Sequence, residues 1–134
     1  MSSTAGRRVL FSAAVAANLA LLYWPRTVGT GGVPHLDKVA HAASFALVAW
    51  CGLRAGLPPR WLAAVLAVHA VVSELVQHTL LAGRSGDPAD VGADLLGVGG
   101  VLLWLAAASW RDERDGRRRV GHGREAAGRE PDPG

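Results

Sequence analysis

The sequence predicts an all-α membrane protein: a four-transmembrane-helix bundle with a disordered, charged C-terminal tail on the cytoplasmic side. Half of the 134 residues are hydrophobic, yet mean hydropathy is only +0.21. The average conceals a split between long apolar runs and a charged, Gly-rich end after residue 110. Four apolar segments are separated by short turn-rich or basic connections. The basic residues also gather on alternate connections, as they do in multi-pass proteins. One domain suits this length. Cys51 is the only cysteine, which excludes an internal disulfide and any multi-cysteine metal site.

Residues 1–8 are polar, end in Arg7-Arg8 and read as a cytoplasmic N-terminus. Val9–Trp24 (VLFSAAVAANLALLYW) carries no charge. A basic start before an apolar run also fits a signal peptide. The run closes on Tyr23-Trp24-Pro25, however, and not on a small-residue cleavage site. Tyr and Trp at that position suit a membrane interface, so a retained helix is expected, extending back through Ala5 or thinning the bilayer locally. A Gly-rich loop follows over Arg26–Pro34.

Leu36–Leu53 is the second apolar segment, and Asp37, Lys38 and His41 lie in its first turns. Their i,i+3 and i,i+4 spacings place them on one side of a helix. Arg54–Arg60 is a basic turn in which Pro58-Pro59 ends one helix and starts the next. Trp61–Leu81 is the third segment, and at ~1.5 Å per residue it can cross ~30 Å of hydrocarbon. Ser73, Glu74, Gln77 and His78 make its second half polar, while His69 sits alone near the middle.

The fourth segment, Val91–Trp110, opens behind Gly83-Arg84-Ser85-Gly86, which is turn chemistry. Asp87 is a good helix N-cap, because its carboxylate can accept from a free N–H two or three residues on. Pro88 then falls where a missing N–H costs nothing. Asp90 favours the positive end of the helix. Asp94 is one turn further in, beyond the reach of the cap. Gly97, Gly99 and Gly100 offer small surfaces for close helix packing. Residues 111–134 are charged and Gly-rich, read as disordered. Their Arg117-Arg118-Arg119 run can touch anionic lipid; no aromatic or motif accompanies it, so no nucleic-acid partner is expected.

With four spans, one side holds Arg7, Arg8, Arg54, Arg60 and the tail arginines, whereas the other holds Arg26, Lys38 and Arg84. The positive-inside rule puts both termini in the cytoplasm of a cell-membrane protein. Three polar clusters then converge at the outer leaflet: Asp37, Lys38 and His41; Glu74, Gln77 and His78; Arg84, Asp90 and Asp94. A charge at mid-bilayer costs ~2.5–3.5 kcal/mol, so these groups are expected to face each other across the bundle. They form an interhelix staple, an outward-facing polar pocket, or both.

DKVAHAASF (Asp37–Phe45), SELVQ (Ser73–Gln77) and RSGDPADVGADLLG (Arg84–Gly97) together resemble the VanZ-like family, small integral membrane proteins named for a teicoplanin-resistance protein. The family's D-K-x-x-H, E-x-x-Q and R-x-x-[S/D]-x-x-D-x-x-x-N-x-x-G elements are matched by Asp37, Lys38, His41, Glu74, Gln77, Arg84, Asp90 and Gly97. Asp94 departs, since Asn is usual there, and Asp87 takes a place often held by Ser. The resemblance covers residues 9–110 and implies a cell-envelope membrane domain linked by name to glycopeptide resistance.

Three functions are open to such a chain. A binding protein would use Lys38 and Arg84 to meet anionic groups of a lipid-linked or glycopeptide ligand, with Glu74, Asp90 and Asp94 orienting it. A membrane enzyme acting on lipid-linked phosphate could use His41, His78 and the carboxylates as hard-metal ligands. The Asp90–Asp94 pair suits such chemistry, but no tight metal motif is present and no cofactor is expected. A small transporter needs a continuous polar path, and the inner half of every segment lacks matching charges apart from His69 near mid-span of the third.

Overall fold

The computed structural model describes residues 3–23, 35–81 and 87–127, with side chains described through residue 114. Four helices follow in order: α1 (Thr4–Tyr23), α2 (Leu36–Arg54), α3 (Pro59–Leu80) and α4 (Pro88–Ala127). The described residues contain no strand. α1, α3 and the Pro88–Arg114 part of α4 are long and apolar enough to cross a membrane, which makes this a multi-pass membrane protein. α2 carries Asp37, Lys38, His41 and Arg54 within its 19 residues and is not among those three.

The helix ends follow local chemistry. α3 begins at Pro59, whose fixed φ suits the first helical position. α2 stops at a turn in which Gly56 adopts a φ of 92°, a conformation that glycine takes without steric cost. α4 begins at Pro88, behind Asp87, whose Oδ1 accepts from the Ala89 N–H at 2.9 Å.

Residues up to Leu102 form one compact unit and Leu103–Gly134 a second. In the second unit the backbone stays helical through Ala127, where composition predicted disorder from Arg111 onward. Opposite charges recur three and four residues apart in this stretch, a spacing that favours helix despite the polarity. Residues 128–134 lie outside the described residues.

In the first unit the helices alternate in direction. A Cβ placed on Gly52, late in α2, would meet Leu62, early in α3, and Phe11, early in α1. At the opposite end, Lys38 of α2 bonds to Asp90 of α4. The core lies between these ends and includes Leu22, Phe45, Val48, Ala49, Leu66 and Ala70. Large apolar side chains such as Trp61, Val68, Leu75 and Leu96 point outward, as lipid contact requires. Lipid tails are as apolar as leucine, so close packing and hydrogen bonds hold such helices together.

A polar staple runs through this core. Asn18 of α1 donates from Nδ2 to Ser44 Oγ of α2 at 3.0 Å, and Ser44 donates to the His41 carbonyl. His69 of α3 lies with Nε2 3.1 Å from Asn18 Oδ1. That oxygen can only accept, so the ring donates from Nε2. His69 also stacks on Phe45, with ring centroids 5.5 Å apart. Thus His69 joins three helices where it stood alone in the sequence.

α4 comes close to α2 at Gly97, where an added Cβ would collide with the Ala42 backbone carbonyl. Gly99 and Gly100 were expected to share in this packing. An added Cβ at either has nothing within 4 Å, because each residue turns the helix by about 100° and carries them off the contact face. Gly97→Ala should therefore destabilise the protein by about 1–3 kcal/mol through overpacking, whereas Gly100→Ala should leave its stability unchanged or raised. Melting of the two variants in detergent checks this, and equal losses would contradict the close approach.

Candidate functional site

The polar residues at the start of α2, the end of α3 and the start of α4 come together between the helices. His41, Ser73, Glu74, Gln77, Asp90 and Asp94 are all buried, Asp94 completely. Lys38 is the hub: its ammonium donates to Asp87 Oδ2 at 2.6 Å and to Asp90 Oδ1 at 2.9 Å. Asp37 lies 3.7 Å away, with its side chain half exposed, and forms the outer edge. The Lys38 ammonium and the Ala89 N–H hold the Asp87 carboxyl below the usual carboxylate range.

α3 closes the cluster. Glu74 Oε2 accepts from the Asp87 backbone N–H at 2.9 Å, so a side chain of α3 caps the segment entering α4. Deeper in, His41 Nδ1 lies 3.2 Å from Asp94 Oδ1 and 4.0 Å from Glu74 Oε1. The first distance is a hydrogen bond and the second is too long for one. Among the described residues, three buried polar atoms have no hydrogen-bond partner: Glu74 Oε1, Gln77 Nε2 and Asp94 Oδ2.

The cluster therefore unites Asp37, Lys38, His41, Glu74, Asp87, Asp90 and Asp94, with Gln77 buried on the neighbouring face of α3. His78 points outward. Arg84, expected to counter the acids, lies outside the described residues. Lys38 serves as counter-charge to the acids, bonding Asp87 and Asp90, and the described part of the cluster holds more acids than bases. The group with metal-ligand spacing is His41, Glu74 and Asp90, whose ligand atoms lie within 4.8 Å of one another. Those residues come from three helices, so sequence spacing could not assemble them.

Asn18 and Ser44 were missed by sequence reasoning. The available signal was that Asn18 is the one amide in an otherwise apolar first segment, where a polar side chain tends to bond a neighbouring helix. No family model, curated protein or solved structure matches the chain.

Asp94 separates geometry from charge. Asn has nearly the same shape and can still accept from His41 Nδ1, while relieving a fully buried site of a charge. Asp94→Asn should keep its melting temperature. Asp94→Leu should lose about 1–3 kcal/mol by leaving a buried donor unsatisfied. Thermal melting in detergent distinguishes the two, and an Asp94→Asn loss as large as that of Asp94→Leu would mean the charge itself is required.

Proposed function

We propose that this chain is a VanZ-like cell-membrane protein with four spans, both termini in the cytoplasm and an outward-facing polar cup that binds a ligand of the cell envelope. Support for the fourth span comes from α2, which contributes Phe45, Val48 and Ala49 to the core shared with α1 and α3. Support for the orientation comes from Arg7, Arg8, Arg54 and Arg60. They lie at the helix ends that gather around Phe11, Gly52 and Leu62, opposite the polar cup.

The observation that carries the binding function is the set of unpaired atoms. A polar network that only staples helices has its buried donors and acceptors satisfied. Here Glu74 Oε1, Gln77 Nε2 and Asp94 Oδ2 are left over, two acceptors and one donor in one region. With Lys38 engaged by acids, the cup suits a ligand that brings donors or a cation to the carboxylates and an acceptor to Gln77. A glycopeptide or a lipid-linked envelope molecule presents such groups at the outer leaflet. The second function, an enzyme acting on lipid-linked phosphate, draws on the His41, Glu74 and Asp90 grouping alone.

The test is binding of teicoplanin, and separately of a lipid-linked cell-wall precursor, to the purified protein in nanodiscs. Gln77→Leu removes the unpaired donor without removing an internal hydrogen bond, so it should fold. At least one compound should bind the wild type and bind Gln77→Leu roughly tenfold more weakly, the value of about 1.4 kcal/mol. No binding, or equal binding by the folded variant, would contradict a ligand site here.

A further inference from the structure

The same cup contains a more specific arrangement, and its interpretation rests on the cup being a binding site. We propose that His41, Glu74 and Asp90 form a divalent-cation site, with Zn2+ the cation that the donor set fits best. One residue comes from each of α2, α3 and α4, all three are buried, and their ligand atoms lie within 4.8 Å of one another.

The second observation is the unpaired oxygen of Glu74. Its other oxygen is used by the Asp87 N–H, which fixes the carboxylate. Oε1 has no partner although the side chain is more than nine-tenths buried. It faces His41 Nδ1 across 4.0 Å. That gap is too wide for a hydrogen bond, but two metal–ligand bonds of about 2.1 Å can span it. The Asp90 ligand atom lies within 4.8 Å of both.

Charge and softness select the cation. Lys38 offsets one carboxylate, Asp87 at 2.6 Å, which leaves the buried Glu74, Asp90 and Asp94 as an excess of acid that favours a divalent ion. Lys38 also bonds Asp90 Oδ1, and the second oxygen of Asp90 can ligate. One imidazole nitrogen with two carboxylates suits Zn2+ better than Mg2+ or Ca2+, which prefer oxygen alone. Three protein ligands leave a fourth position for water or a ligand group, as in catalytic rather than structural zinc sites. Asp94 Oδ1 lies 3.2 Å from the same Nδ1, so the ring exchanges its hydrogen bond to Asp94 for the metal when the ion is loaded.

The test uses full-length protein without a histidine tag, stripped with chelator, reloaded with Zn2+ and dialysed. Zinc is then counted by mass spectrometry. The wild type should retain close to one equivalent and melt at a higher temperature with zinc. His41→Gln and Glu74→Gln should each bind roughly tenfold or more weakly, since loss of even an outer partner costs 10–100-fold. His78→Gln, whose side chain points away from the cup, should bind as the wild type does. Co2+ loaded in place of Zn2+ should give a visible absorption band that His41→Gln alters. If His41→Gln or Glu74→Gln melts below the metal-free wild type, Asp90→Asn takes its place under the same criteria. Sub-stoichiometric zinc in the wild type, or retention unchanged in the folded variants, would overturn the site. Teicoplanin or precursor binding by protein that takes up no zinc would remove the metal and leave the ligand function standing. Loss of both would remove both.

Discussion

A lysine ammonium at the mouth of a hydrophobic bundle must find its counter-charges within the protein. Lys38 finds them on a helix some fifty residues away, bonding Asp87 and Asp90 at the head of α4. The contact brings the heads of α2 and α4 to one end and places Gly97 against the Ala42 carbonyl further down. Asp90 is buried, and a buried charge with a missing partner is severely destabilising, so this pairing constrains register as well as position. Glu74 completes the joint by bonding the Asp87 backbone from α3. Three helices thus meet through one cation, one cap and one close backbone approach.

Below that joint the protein changes its chemistry. Asn18, Ser44 and His69 join α1, α2 and α3 by neutral hydrogen bonds, and Phe45 stacks on His69. Here each side-chain bond removes a polar group from the hydrocarbon. At the mouth, by contrast, polarity exceeds what the helices need, and Glu74, Gln77 and Asp94 retain unpaired atoms. The division separates neutral hydrogen bonds in the bundle from a charged mouth that joins the helices and still keeps unpaired polar atoms.

Much of this was legible in the sequence because hydropathy and helix termini act locally. The apolar runs mark helix-forming stretches, and Asp87-Pro88 marks where α4 begins. Spacing on one helix also indicates that Asp37, Lys38 and His41 share a side. Spacing cannot tell which side chains meet across helices, since that depends on rotation and register. Hence the sequence offers Lys38 as a counter-charge without saying that Asp87 and Asp90 are its partners, and it does not group Asp90 with His41 and Glu74. The same reason misplaced Gly99 and Gly100, which lie off the face that Gly97 presents. In the tail, charge content pointed to disorder, but the spacing of opposite charges suits the helix that runs to Ala127.

The central claim, that an ion pair between Lys38 and Asp90 sets the mouth of the bundle, is tested most directly by exchanging the charges. Melting temperature in detergent is measured for the wild type, Lys38→Glu, Asp90→Lys and the double variant. Each single reversal sets like charges against each other and should lower the melting temperature. The double variant restores an opposite pair and should recover much of the loss. A double variant at least as unstable as the two losses added would mean that these residues do not interact and that the mouth is held by something else.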